Sequence, residues 1–252
     1  MQLPCNLPEE VLTQEDSFPL PKEQMEEAVK CVANDFQGLE KVFAEPEQAL
    51  PLLRSAYHTT GSDKDKLTYA HILGVMGDPT GAETLAKALA AREWDEGWKY
   101  TGMGQYGASM SVLDSLIIAL GRTRRDVALR PILARVRQLG PEHALSHHRA
   151  VAEALETLGD PAAATPLAEL LQKPGMTGHA LTSIDMAIRS IPPSSTDNTT
   201  RECSLRELML ARALYRCGDY QGLGRKILEQ YAQDLRGHYA RHALAVLGKK
   251  VQ

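Results

Sequence analysis

The chain is poor in aromatic residues, which make up 5% of its 252 residues, and it has only three phenylalanines. A core of this composition has to be built from leucine, alanine, isoleucine and valine, which suits closely stacked helices. No segment alternates apolar and polar residues for long enough to indicate a half-buried strand. These two shortages disfavour a sheet-based fold and favour an all-α protein.

Cysteines are also few, and long apolar runs are missing. The four cysteines form no C-x-x-C pair, which argues against a disulfide framework. We expect Cys217 to be a buried small apolar residue, because it takes the place of Met76 and Leu158 in related segments. No run approaches 18 apolar residues, so no membrane span is predicted, and the first residues lack the features of a signal peptide. We therefore expect a soluble chain and leave its compartment open.

The net charge of −4 hides an uneven distribution. Residues 1–100 carry 18 acidic and 9 basic side chains, whereas residues 101–252 carry 14 and 19. The arginines of the second part are spread along the chain and not gathered into one block. We expect a solvated surface of mixed charge and no nucleic-acid partner.

One short phrase, Leu-Gly-Asp-Pro with a helical pattern on each side, recurs in graded copies. It is nearly complete around Gly77 and Gly159 and partial around Gly121, Gly218 and Gly248, at spacings of 30 to 59 residues. Each glycine is expected to end a helix in the left-handed conformation. The aspartate is expected to cap the next helix, and the proline fits its first turn. Repeats at such spacings are typical of helical solenoids.

The helical patterns predict an all-α, right-handed α-α superhelix of about five helix pairs. Residues 1–20 form an extended, proline-containing arm, and residues 21–252 form the repeat domain. Two insertions interrupt it, at 93–108 and 173–203, where glycine, proline, serine and asparagine favour loops.

The segments around Gly77 and Gly159, together with 161–171, resemble the short HEAT repeats of phycobilisome lyases. The resemblance covers roughly residues 46–250 and implies stacked helix pairs. A narrower resemblance is carried by four phrases: Ala44–Arg54, Trp94–Trp98, Leu205–Tyr215 and Leu235–Ala243. They look like the helical-repeat region that follows the flavin domain in some bacterial FAD-dependent oxidoreductases.

That narrower resemblance implies an accessory domain with no catalytic residue to carry over. The chain lacks a flavin domain, so we predict no cofactor here and FAD only in an upstream domain. The abrupt, proline-rich start is consistent with a domain excised from a longer protein.

Residues 102–107 fit G-x-G-x-x-G, but the segment before them is charged and broken by glycine, so the strand that a dinucleotide site needs is missing. The same loop concentrates aromatic side chains, and loops on rigid scaffolds often carry function. It either contacts a partner or packs its rings on the repeat stack. The residues concerned are Trp94, Trp98, Tyr100 and Tyr106.

Two histidine pairs, His143/His147 and His238/His242, have the i, i+4 spacing of half a metal site. No carboxylate or cysteine lies at a spacing that completes either site, so we predict neither a metal site nor a catalytic site.

The repeat register indicates a further surface. In HEAT repeats the first helix of each pair faces the concave side, and the residue seven before the aspartate position points into the groove. This resemblance assigns five residues to that groove: His71, Ser115, Glu153, Arg212 and His242. An ordinary solvated helix face is also polar, so the alternative is a surface without a partner.

We therefore predict a non-catalytic protein-interaction scaffold, the C-terminal accessory domain of a longer FAD-dependent oxidoreductase. A free-standing peptide- or protein-binding module is the alternative, and an enzyme domain in its own right is a third reading. The expected partner is a protein or an upstream domain of the same polypeptide, with no membrane involved.

Overall fold

The computed structural model describes residues 19–35, 38–95, 111–191, 194 and 197–249. Within these ranges the chain forms thirteen α-helices and no β-strand, which confirms the predicted all-α class. The helices are α1 (Lys22–Asp35), α2 (Leu39–Ala44), α3 (Pro46–Thr59), α4 (Asp63–Val75), α5 (Ala82–Ala91), α6 (Val112–Arg122), α7 (Leu129–Gln138), α8 (Leu145–Leu158), α9 (Ala164–Leu171), α10 (Ile184–Arg189), α11 (Thr199–Arg216), α12 (Leu223–Tyr231) and α13 (Gly237–Val246). No helix in the described ranges is long and apolar enough to cross a membrane.

The chain divides into two compact units, Met1–Tyr69 and Ala70–Gln252, whereas the sequence pattern treats residues 21–252 as one repeat domain. In the first unit, α1, α2 and α3 pack against one another. Their shared core is aliphatic, with Met25, Val42 and Leu53 fully buried. This core follows from the scarcity of aromatic residues.

The second unit carries the stacked repeats. Helices α6, α8 and α11 pack in succession, and α5, α7 and α9 form a neighbouring layer in which α7 contacts both α5 and α9. The two layers meet where α7 packs on α8 and α9 packs on α11. Helices α12 and α13 continue the stack after α11. This arrangement buries one side of each helix and leaves the other side of α6, α8 and α11 available to form a continuous face.

The recurring phrase ends helices as the sequence predicts at four of its five copies. At these four copies the glycine has a positive φ, between 64° and 108°; they are Gly77, Gly159, Gly218 and Gly248. Asp78 and Asp160 each accept a hydrogen bond from the backbone N–H two residues on, at 2.9 and 2.8 Å, and thereby cap the 3₁₀ turns that begin at the following prolines. Asp219 instead reaches Gly224 N at 2.6 Å, at the start of α12.

The copy around Gly121 corrects the prediction. Gly121 lies inside α6, which continues to Arg122, and the left-handed residue is Arg124, with φ 53°. A Cβ on Gly121 would lie 2.5 Å from Ala154 Cα, so this glycine is needed for the contact between α6 and α8. It corresponds to Gly74, where a Cβ would lie 2.9 Å from the carbonyl oxygen of Ala119. The register of the copy around Gly121 is therefore shifted by three residues.

The predicted insertion at 173–203 is not all loop. It contains the short helix α10 and the first residues of α11, which begins at Thr199. The predicted loop at 93–108 is described only as far as residue 95, and residues 1–18 of the predicted arm lie outside the described ranges. Cys217 is fully buried, as expected from its place in the repeat.

Candidate interaction face

The five residues assigned to a groove lie on α4, α6, α8, α11 and α13, and each is partly exposed. His71 on α4 faces the backbone carbonyl of Ser115 on α6. Burial lowers the pKa of His71, although this carbonyl acts in the opposite direction. The structure therefore brings the first two predicted residues together across neighbouring helices.

Arg122 connects three of these helices. Its guanidinium donates to the backbone oxygen of Val75 at 3.3 Å and to Glu153 Oε1 at 2.9 Å. Because Arg122 is on α6, it bridges the end of α4 and the exposed side of α8. The predicted Glu153 is thus engaged in an ion pair and is not an isolated acidic group.

Glu156 is the centre of the next part of the face. Arg212 Nε donates to Glu156 Oε2 at 2.6 Å, and Arg216 donates to the other carboxylate oxygen. The Glu156 side chain is 13% exposed, against 24% for Arg212 and 50% for Arg216. Burial lowers the pKa of Arg212, and the negative charge of Glu153 partly offsets this effect.

His242 lies at the end of the row, beside the same two arginines. Burial lowers its pKa, and the positive charges of Arg212 and Arg216 lower it further. Burial and the two arginines therefore both favour the neutral imidazole. We call the resulting row the interaction face; its residues are His71, Ser115, Arg122, Glu153, Glu156, Arg212, Arg216 and His242.

Register alone did not identify Arg122 and Glu156 as members of this face. The signal was present in the spacing, because Glu156 lies three residues after Glu153 and therefore on the same side of α8. In the same way, Arg122 lies seven residues after Ser115. The sequence does not give the distances between helices, and these distances determine which charged side chains form ion pairs.

The aromatic part of the prediction has a different outcome. Trp94 lies against the ring of His147, with centroids 4.4 Å apart, and the guanidinium of Arg135 is 5.6 Å from the indole centroid. His147 is itself buried and donates from Nδ1 to Asp114 Oδ1 at 2.7 Å. The Trp94 indole therefore packs on the repeat stack. Trp98, Tyr100 and Tyr106, as well as the glycine motif at 102–107, lie outside the described residues.

Asp95, which follows Trp94, fastens this segment to α6. Its carboxylate accepts hydrogen bonds from Ser111 Oγ at 2.5 Å and from Val112 N at 2.9 Å. Burial raises the pKa of Asp95, but these hydrogen bonds outweigh burial and the pKa is lowered. The end of the segment after α5 is thus held by an N-terminal cap of α6 supplied from outside the helix.

Substitution of Trp94 tests the packing role. Trp94→Ala is expected to lower the free energy of unfolding by about 2 kcal/mol, because the contacts with His147 and Arg135 are lost. Trp94→Phe is expected to stay within about 1 kcal/mol of the wild type, since the indole Nε1 has no hydrogen-bond partner in the described structure. Urea unfolding followed by circular dichroism measures both. An alanine variant as stable as the phenylalanine variant would show that the ring contributes no packing energy.

The two histidine pairs do not converge on common ligand positions. His143 Nδ1 accepts a hydrogen bond from Gly140 N at 3.0 Å, whereas His147 is bound to Asp114. His238 stacks on Tyr239, with centroids 4.0 Å apart, whereas His242 faces the two arginines of the interaction face. In the described ranges no group of three or more metal-ligating side chains comes together.

One family model matches part of the repeat segment. The family model of the PBS lyase HEAT-like repeat matches residues 148–173, which contain most of α8 and all of α9. A solved structure of the complex of CpcE and CpcF of phycocyanin lyase, from Nostoc sp. PCC7120, is 20% identical. The match covers 79% of this chain and 75% of that chain, with a TM-score of 0.39. No curated protein matches the chain. Residues 148–173 of the second unit are therefore similar to a HEAT-like repeat.

Proposed function

We propose that the second unit is a non-catalytic scaffold that binds a protein segment along the interaction face. The observation that carries this proposal is the row of charged side chains, linked from helix to helix by the bonds of Arg122, Arg212 and Arg216. A partly exposed ion pair such as Arg122–Glu153 contributes little to stability, so stability alone is a weak reason for that link in the row. Stacked helices that present a continuous polar surface are well suited to bind an extended segment.

The charge balance of the face favours an acidic partner. Arg122, Arg212 and Arg216 contribute three positive charges, whereas Glu153 and Glu156 contribute two negative ones, and exposed Arg149 on α8 adds a further positive charge nearby. A partner carboxylate can share an arginine with Glu156 and gain a charge-assisted hydrogen bond.

Peptide binding tests this proposal. Two fluorescein-labelled peptides, matched in length and apolar content and carrying either glutamates or lysines, are titrated with the protein and followed by anisotropy. We expect tighter binding of the glutamate peptide, and weaker binding as salt is added. Replacing both Arg212 and Arg216 with glutamine is expected to weaken this binding by about tenfold, corresponding to about 1.4 kcal/mol.

The matched control replaces Arg130 and Arg137, two exposed arginines of α7, with glutamine. This variant loses the same charge from the other helix layer and is expected to bind as the wild type does. Equal losses in the two variants would mean that binding reflects net charge and not the interaction face.

The finer proposal is that this scaffold is the accessory domain of a longer FAD-dependent oxidoreductase, with the upstream domain as its partner. Its support is the likeness of the phrases between Ala44 and Ala243 to such repeat regions. The natural gene decides the matter: an upstream reading frame with a flavin-binding fingerprint supports the accessory domain. A natural start at Met1 would instead favour the free-standing binding module.

A further inference from the structure

The short helix α10, in the segment between α9 and α11, exposes an apolar stripe. Ile184, Ile188 and Ile191 are 71%, 60% and 70% exposed, which is unusual for large aliphatic side chains. Their spacing of four and three residues places them on one side of the helix and its final turn, and Ile191 N continues that turn by donating to Ile188 O. A contiguous exposed apolar stripe of this kind indicates a contact surface.

Hydrogen bonds hold the segment that leads into α10 in place. Buried Glu207 accepts hydrogen bonds from the backbone N–H groups of Gly178 and His179 at 2.9 and 2.8 Å. Asp234 accepts from Leu181 N at 2.9 Å, and Ser183 caps the helix through Met186 N. The segment that leads into α10 is therefore bound to α11 and to the turn between α12 and α13, so the isoleucines have a defined position.

A further exposed apolar residue lies next to the segment that leads into α10. Leu235 is 53% exposed, and its N–H donates to Leu181 O at 2.8 Å. A surface cavity of about 540 Å³ also adjoins the α10 segment, and apolar Ala187 and Ile191 line it together with polar side chains, among them Arg201, Arg236 and His238. Leu235 therefore adds exposed apolar surface beside the segment that leads into α10, whereas the cavity has a mixed lining.

Charges beside the stripe indicate what covers it. Asp185 and Arg189 are exposed on the same flank of α10, and neither has an ion-pair partner in the described part of the chain. In an antiparallel pair of α10 helices related by a twofold axis, Asp185 of each copy faces Arg189 of the other. The stripe and its flanking charges are thus self-complementary, which is the requirement of an isologous interface.

We propose that α10 is a self-association surface, through which a second copy of this chain packs its Ile184, Ile188 and Ile191 against the same residues. The patch is smaller than the ~800 Å² per partner of a standard interface, so the dimer is weak, with a Kd on the order of 10 µM. It uses residues outside the interaction face, so partner binding and self-association are independent.

Sedimentation velocity over a concentration series tests the proposal with the intact chain. The wild type is expected to shift from monomer to dimer, and Ile188→Glu is expected to stay monomeric because a carboxylate would be buried in the apolar contact. Phe43→Glu is the matched control, since Phe43 is another exposed large apolar residue (42%) in the first unit; it is expected to dimerise. Circular dichroism establishes that each variant is folded.

Charge exchange tests the antiparallel arrangement. Asp185→Arg places two arginines opposite each other and is expected to weaken dimerisation by about tenfold. The double variant Asp185→Arg with Arg189→Asp restores opposite charges and is expected to recover the wild-type Kd. A monomeric wild type over the whole series, dimerisation of Ile188→Glu, or no recovery in the double variant would each overturn the proposal.

Discussion

Replacing Gly121 with alanine is expected to destabilise the second unit by about 3 kcal/mol, although alanine is the better helix former. The added methyl group would lie 2.5 Å from Ala154 Cα and 2.6 Å from its Cβ, so helices α6 and α8 would have to move apart. The clash is with backbone, which cannot rotate away as a flexible side chain can. Urea unfolding followed by circular dichroism measures the loss.

Gly237 provides the matched control. It begins α13, and a Cβ built there meets no heavy atom within 4 Å. Gly237→Ala is expected to leave stability unchanged or to raise it by up to about 1 kcal/mol, because the unfolded chain loses conformational freedom. If both variants had the same stability, α6 and α8 would not depend on the close approach at Gly121.

Gly121 also shows which part of the fold could not be predicted from the sequence. The short segment Ala-Leu-Gly-Arg matches the helix-ending phrase, but glycine serves two purposes in such stacks. At Gly159 it provides a left-handed backbone, with φ 64°, and at Gly121 it provides room for a neighbouring helix. Local sequence does not distinguish them, because the second purpose depends on a residue 33 positions away. The complete phrases, with aspartate and proline, were assigned correctly because their caps are local interactions.

The interaction face, like the fold, could be predicted from the sequence only in part. The resemblance to HEAT repeats assigned Glu153 and Arg212 to one groove, but their partners Arg122 and Glu156 depend on the distances between helices. Helix α10 was missed within a segment of loop composition, since two turns of helix carry little periodic signal. Its exposed isoleucines are nevertheless visible in the sequence, at positions 184, 188 and 191.

We expect the second large effect at acidic pH, where the protonation of His148 lowers the free energy of unfolding. This side chain is fully buried on α8, and burial lowers its pKa to about 4. The hydrogen bond from Nδ1 to the Ala144 carbonyl, 3.0 Å long, acts against burial, whereas Arg206, His143 and His147 add to it with their positive charges. Nε2 has no partner in the described structure, so protonation there would leave a charged donor unpaired.

The direction of the pH effect follows from these pKa values. An unfolded histidine binds a proton near pH 6.5, whereas folded His148 does so only near pH 4, so falling pH favours the unfolded chain. The contribution of neutral His148 to stability is complete above about pH 6.5 and is lost as the pH falls toward about 4. Between about pH 7 and pH 4.5, this residue alone is expected to cost about 2.5 kcal/mol.

His148→Gln isolates that contribution, because glutamine retains a donor for the Ala144 carbonyl and does not titrate. The free energy of unfolding, measured in urea at several pH values, is expected to fall less steeply in this variant than in the wild type. The lowered pKa values of His71 and His242 also make stability depend on pH, so the informative quantity is the difference between the two slopes. Exposed His58→Gln is the control and is expected to keep the wild-type slope. Parallel wild-type and His148→Gln curves would show that His148 is protonated as easily in the folded chain as in the unfolded one.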